Sequence, residues 1–292
     1  MTVYTRTATP SAPLVGIMWA LMASVAFVAV NVLVKHLGQK LPPLEMSLFR
    51  AAGGLLLVGF AWREMRQLRD KHIHGLRALI GAIGIFANVY AFTALPIGLA
   101  IAVLHLRAAL MIAIARVFLG ERASLGIWAA VGVAIGGAMV ALYPKMGGTV
   151  QDWLGVAAIL TGAVFSAGSL VCVRRLAATN SPQTIVVAFS VLTSAFIGAP
   201  AALTWVTPPM GDMALLFLIA AFIAVAQYCF ARASQSASIA ILSPLQFVEV
   251  PFAAVVGYVL FSEIPDAYTV AGAVLIIGAC WRITVIANRD VE

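Results

Sequence analysis

The sequence predicts an all-α integral membrane protein with ten transmembrane helices arranged as two inverted five-helix repeats. Three observations carry this expectation. Of 292 residues, 63% are hydrophobic and 10% charged, with a mean hydropathy of +1.03, whereas soluble domains carry about 25% charged residues. The apolar residues gather into ten runs, most of them near the roughly 20 residues a helix needs to cross a hydrocarbon core. The second half also matches the first at a nearly constant offset.

The runs cover residues 14–34, 44–62, 76–95, 97–118, 124–143, 153–173, 184–206, 213–231, 238–261 and 268–287. They are continuous rather than alternating, which argues against a membrane β-barrel. Breakers separate them: Pro42-Pro43, Pro96-Ile97-Gly98, Pro144, Gly147-Gly148, Pro208-Pro209 and Pro265. The first run, Leu14 to Val34, is longer than a signal-peptide core and reads as an uncleaved span. Residues 1–13 and 288–292 read as cytoplasmic tails, 14–143 as the first repeat and 153–287 as the second.

The net charge of +7 does not point to nucleic acid, because the basic residues sit in short connections between apolar runs. There they set topology. With a cytoplasmic N-terminus, that side collects Arg6, Arg63, Arg66, Arg69, Lys71, Arg77, Arg116, Arg122, Arg174, Arg175, Arg232, Arg282 and Arg289. The other side holds Lys35, Lys40 and Lys145. Both termini are therefore expected in the cytoplasm and the chain in the inner, or plasma, membrane.

An offset of 139 places Gly16 on Gly155, Lys35 on Arg174 and Pro43 on Pro182; an offset of 142 places Ala91 on Ala233, Glu121 on Glu263 and Gly136 on Gly278. Five helices is an odd number, so the second repeat must enter the membrane upside down. Such repeats place a substrate site near the midplane, between them.

With these features the chain resembles the drug/metabolite transporter superfamily, EamA-type branch. The resemblance rests on the five-plus-five plan, on Phe49-Arg50 opening the second span, and on the steps Leu119-Gly120-Glu121 and Phe261-Ser262-Glu263 ending the fourth and ninth. Within the branch it is most similar to bacterial aromatic amino-acid exporters. The resemblance implies secondary export of small amphipathic metabolites, amino acids with large apolar or aromatic side chains foremost. Alternating access would centre on a cavity drawn from spans one, three, four, six, eight and nine. Members typically carry a proline early in the fourth and ninth spans; the ninth has Pro244 and Pro251, while the fourth has none inside it.

Charge inside the membrane marks the candidate site. Arg107 and Glu249 sit mid-span at equivalent repeat positions, 142 residues apart, and each would cost about 2.5–3.5 kcal/mol unaided on insertion scales. They are expected to pair across the repeat interface. A register-fixing ion pair, a proton-accepting Glu249 and a carboxylate-binding Arg107 all remain open. Ser243 and Gln246 share a face with Glu249. His105, two residues from Arg107, points about 200° away on a straight helix and reads as a packed, neutral ring. Asn88, Tyr90 and Gln227 are polar positions inside spans that interhelical hydrogen bonds alone could explain. Trp19 and Phe165, with Phe27 and Phe247, could wall an apolar pocket. Arg50 and Glu45 read as structural, and Glu121 and Glu263 as helix ends.

No phosphate-binding glycine loop, HExxH or G-x-S-x-G motif is present, which argues against ATP hydrolysis and intramembrane proteolysis. Cys172, Cys229 and Cys280 lie inside apolar runs without metal-ligand spacing. No enzyme activity, cofactor, metal or nucleic-acid partner is expected. The expected partners are a small-molecule substrate, the bilayer and a proton, with oligomeric state unassigned. Efflux of drugs or organic cations, with Glu249 as cation partner, is the alternative within transport. A membrane scaffold or a lipid-modifying enzyme is the alternative outside it.

Overall fold

A computed structural model describes residues 12–57, 59, 68–118, 125–236 and 245–289. Its α-helices are α1 (Ala12–Leu37), α2 (Pro43–Ala52), α3 (Lys71–Ala94), α4 (Ile97–Leu104), α5 (Leu106–Phe118), α6 (Leu125–Leu142), α7 (Val150–Leu176), α8 (Pro182–Leu203), α9 (Met210–Ser236), α10 (Glu249–Phe261) and α11 (Ala267–Arg289). Among the described residues, seven helices are long and apolar enough to span a bilayer, and Ile97–Met111 and Glu249–Phe261 form shorter apolar helices. Together with α2 they follow the order of the ten runs.

Local chemistry sets the helix starts. Thr149 and Asp152 open α7 with a capping box: the Asp152 N–H donates to Thr149 Oγ1 (3.3 Å), and the Thr149 N–H to Asp152 Oδ2 (3.0 Å). Ser181 Oγ accepts from the Thr184 N–H (3.3 Å) ahead of α8, and Pro43 takes the first position of α2, where its missing N–H costs nothing.

Three of the expected spans depart from a uniform helix. Span two turns to 3-10 geometry at Gly53–Leu57, where the Gly54 N–H donates to Ser190 Oγ at 3.1 Å. Span four breaks at His105 into α4 and α5. Span nine has a turn at Phe247-Val248 just before α10. The breaks in spans four and nine stand at equivalent positions of the two repeats, since an offset of 142 places His105 on Phe247. The fourth span therefore breaks without a proline inside it.

Helix pairing follows the pseudo-twofold. The packing of α3 on α7 and that of α1 on α9 exchange under it, while α6 on α11 and α4 on α10 map onto themselves. The chain is thus an all-α membrane protein of two inverted five-helix repeats. Its outer surface is apolar, with Met18, Val25, Leu79, Phe217, Val259 and Trp281 exposed as lipid-facing residues are. The polar side chains Asn31, Arg50, Arg77, Asn88, His105, Arg107 and Glu249 are buried inside. Cys172, Cys229 and Cys280 are buried free thiols, and among the described residues no metal-ligating cluster exists.

Small residues allow a close crossing of α6 and α11. A Cβ on Gly272 of α11 would lie 2.5 Å from the Gly137 carbonyl oxygen of α6, closer than side-chain atoms tolerate. Gly272→Val is expected to lower the melting temperature of the purified protein, as overpacking of about 1–3 kcal/mol does. Gly278→Val, at a position open on the same helix, should leave it near native in the same thermal melt.

Candidate functional site

The two central breaks build the site. Beyond the turn at His105, Arg107 is the second residue of α5, and Glu249 opens α10 just after the turn at Phe247-Val248. Arg107 Nη2 lies 3.4 Å from Glu249 Oε2 and donates to Gln246 Oε1 at 3.2 Å. His105 Nε2 lies 3.6 Å from the same Glu249 oxygen. A straight helix would turn His105 and Arg107 apart; the break brings both onto one carboxylate. His105 Nδ1 faces the Ile101 carbonyl at 2.7 Å and Nε2 the Gln246 carbonyl at 2.8 Å. A carbonyl only accepts, and a neutral imidazole has one N–H. A neutral ring can therefore donate to one of these carbonyls, and a protonated ring to both. Phe247 covers it at 5.5 Å between ring centroids.

In front of this cluster lies a cavity of about 770 Å³, its open mouth included, lined among others by Phe27, Arg50, Arg77, Asn88, Arg107 and Gln227. Without that mouth the enclosed space is about 100 Å³. Arg77 donates to the Ile185 carbonyl (2.7 Å) and to Gln227 Oε1 (3.4 Å), and its guanidinium lies 4.0 Å from the Phe189 ring centroid. Arg50 donates to Asn31 Oδ1 at 3.1 Å. Asn88 donates to Ser166 Oγ at 3.0 Å, where α3 crosses α7.

The wall runs from mid-membrane toward the face where α1, α3 and α8 begin. The opposite face is clamped. Lys35 Nζ lies 2.6 Å from Glu263 Oε1 and donates to the Leu95 carbonyl at 2.8 Å, while Glu263 Oε2 accepts from the Ile97 N–H at 2.8 Å. Lys40–Asp212 (3.3 Å) and Lys145–Asp152 (3.1 Å) add two pairs there. Glu263 thus joins α1, α4 and α10 beyond ending a helix.

Of the expected site residues, Arg107, Asn88 and Gln227 line the cavity, and His105, Gln246 and Glu249 back Arg107. Trp19 instead packs edge-on against Tyr228 at 6.0 Å, with Arg232 5.8 Å from its ring. Tyr90 packs beside Phe86, and Phe165 lies against Gly84 at the α3–α7 crossing. None of these three is among the cavity-lining residues. Ser243 lies outside the described residues, as do Pro244, Glu121, Arg6, Arg63, Arg66 and Arg122. Sequence reasoning assigned Arg50 to structure and Arg77 to topology, and the structure puts both on the cavity wall. For Arg77 the sequence held one signal, a cation six residues inside a long apolar helix and followed by Gly81 and Gly84.

The sequence pattern of the EamA-like transporter family matches residues 14–143 and again 153–285. The chain belongs to that family. A riboflavin transporter of Rhizobium johnstonii is 31% identical over 277 residues, covering 92% of this chain and 91% of its own. The pseudopaline exporter of Pseudomonas aeruginosa is 29% identical, covering 91% and 94%. An S-adenosylmethionine uptake transporter of Rickettsia felis is 26% identical, covering 91% of each. A solved crystal structure superposes with a TM-score of 0.63 at 20% identity over 97% of this chain and 99% of its own, which bears on the fold alone. This EamA protein is thus a multi-pass membrane transporter of small molecules, not an enzyme.

Removing one partner of a buried ion pair leaves the other charge uncompensated, at a cost of about 3–5 kcal/mol. Glu249→Leu and Arg107→Leu should each lower the melting temperature, and the double variant should lose less than the two losses added. Additive losses in the thermal melts would mean that the 3.4 Å contact carries no coupling.

Breaking the outer clamp should expose what it covers. A cysteine introduced at Gly98, beside the clamp, is expected to react faster with an impermeant maleimide in Glu263→Ala than with the clamp intact.

Proposed function

We propose that this EamA transporter is a secondary exporter of small amphipathic metabolites bearing a carboxylate, amino acids with large apolar or aromatic side chains being the first class to test. One observation carries the reading: a cavity at the repeat interface, walled by Phe27, Phe189 and Phe230 and by guanidinium groups, lies behind a face clamped by Lys35–Glu263. Rings suit an apolar body and guanidinium suits a carboxylate. We take residues 14–143 and 153–287 as the two repeats that rock about it, with the tails 1–13 and 288–292 cytoplasmic. The thirteen-to-three bias of Lys and Arg supports cytoplasmic termini in the inner membrane. The cavity then faces the cytoplasm, the loading state of an exporter. The relatives' names span both export and uptake, so direction rests on this orientation and on flux.

Organic-cation efflux is disfavoured. Glu249, its required partner, already faces Arg107 and His105, and three guanidinium groups line the wall.

We assign the coupling proton to His105. Loss of the Nε2 proton sets a nitrogen lone pair against the Gln246 carbonyl and weakens a contact joining span four to span nine. Glu249 and Arg107 are the charged groups facing the ring, with Arg50 behind them.

The test is flux of labelled phenylalanine and tryptophan through purified protein in liposomes, with and without an imposed pH gradient. Native protein should carry aromatic substrate faster when a gradient is imposed. Glu249→Gln should lose flux while remaining folded. His105→Gln should keep substrate exchange but lose its response to the gradient. Absence of amino-acid flux through folded native protein would overturn the substrate class proposed here.

A further inference from the structure

Buried charge in this cavity does not balance. Arg50, Arg77 and Arg107 all line it, at 6%, 5% and 9% exposure, and no Asp or Glu is among the lining residues. Glu249, behind Arg107, offsets one of the three. Glu45, the other buried carboxylate near α2's start, neither lines the cavity nor makes an ion pair among the described residues. Among the described residues, two guanidinium charges therefore lack a carboxylate. What they do contact is neutral: Asn31 for Arg50, and Gln227, the Ile185 carbonyl and the Phe189 ring for Arg77. Arg77 Nε and Arg107 Nε are buried donors with no hydrogen-bond partner among the described residues. A structural arginine would have its five donors met, and an unpaired cation is costly inside a membrane. This wall is short of anionic oxygen.

The excess sits at two levels. Arg77 is tied to Ile185 in the first turn of α8, at the open face. Arg50 is tied to Asn31, one helical turn before Lys35 of the clamp, at the closed end. The wall also carries Phe27, Ile85, Phe189 and Ile223, with Asn88, Ser166, Ser169 and Gln227 as neutral polar groups.

We infer that the preferred cargo carries two anionic groups at opposite ends of an apolar or aromatic body, one met by Arg77 at the mouth and the other by Arg50 and Arg107 at depth. The inference rests on the transporter reading above and ranks dianions over zwitterionic monocarboxylates. Dicarboxylates and phosphomonoesters share the required chemistry, a planar or tetrahedral set of anionic oxygens that guanidinium binds with two parallel hydrogen bonds. A zwitterion brings one carboxylate and one ammonium, and the ammonium finds no acidic residue on this wall. Riboflavin, pseudopaline and S-adenosylmethionine are named as cargo of those relatives; the arginine wall is described in this chain.

The test is binding to the full chain in nanodiscs of phosphatidylcholine, a zwitterionic lipid that adds no anionic lipid headgroup. The probes form a matched series: phenylacetate with one carboxylate, para-phenylenediacetate with two, and para-phosphonooxyphenylacetate with a phosphate at the far end. Native protein should bind one or both of the two-headed anions at least about tenfold more tightly than phenylacetate, as an extra charge-assisted contact gives. The dicarboxylate tests the second position at a charge of about −2, and the phosphate probe at a charge of about −2.5 to −3. In Arg77→Gln the advantage should shrink to within about twofold, and Arg77→Lys should restore part of it. Equal binding of mono- and dianions to native protein would overturn the inference, and that comparison needs no variant to fold. An advantage that survives Arg77→Gln in full would overturn the role given to Arg77. Phenylalanine exchange in liposomes without any dianion preference would sink this inference and leave the exporter reading standing. Dianion binding without flux of any probe would do the reverse.

Discussion

Charge cannot be left alone in hydrocarbon, and in this protein that constraint converges on one carboxylate. Glu249 opens a half-helix at mid-membrane and meets Arg107 from the other repeat, with His105 on the same oxygen. The cost of an uncompensated buried ion holds spans four and nine together at this depth. The two breaks at matched positions make the contact possible, because they turn His105 and Arg107 onto the same side. A continuous helix would have separated the ring from the guanidinium. The cluster thus decides both where the repeats touch and which side chains are left to face the cavity.

Inverted symmetry distributes the remaining contacts. The α3–α7 and α1–α9 packings exchange under the pseudo-twofold, so each repeat lends its first helix to the other. The symmetry of sequence is broken in the conformation: Lys35 and Glu263 close one face, and the cavity opens toward the other. Under the proposed alternating access, that is one half-cycle. The closed side uses ion pairs at helix ends, where water lowers the cost of opening them.

Much of the fold was legible in the sequence because the bilayer imposes a simple rule of length and polarity. Gly272 and Gly137 could be recognised as small residues, but not as partners. Likewise the order of spans was readable, while the break at His105 was not, since the fourth span carries no proline to announce one; in the ninth, Pro244 and Pro251 marked a weak point. The site was legible where charge was conspicuous, at Arg107 and Glu249. It was misread where a residue served two descriptions. Arg77 looked like a topology residue because it lies near a basic loop, and Arg50 like a structural one. Trp19 and Phe165 suggested a pocket by type and Tyr90 a polar position, and the packing spends them on Tyr228, Gly84 and Phe86.

By itself the sequence determined the class of solvent, the number and order of the spans, the inverted repeat and the depth of the central charges. These follow from hydropathy, which is additive along a chain, and from the offset between halves. Only the tertiary structure decided which face is closed, which arginines share a cavity, and that one carboxylate serves both a guanidinium and an imidazole. Those outcomes depend on rotation of each helix about its axis and on local breaks in it. Both are set by packing against neighbours distant in sequence.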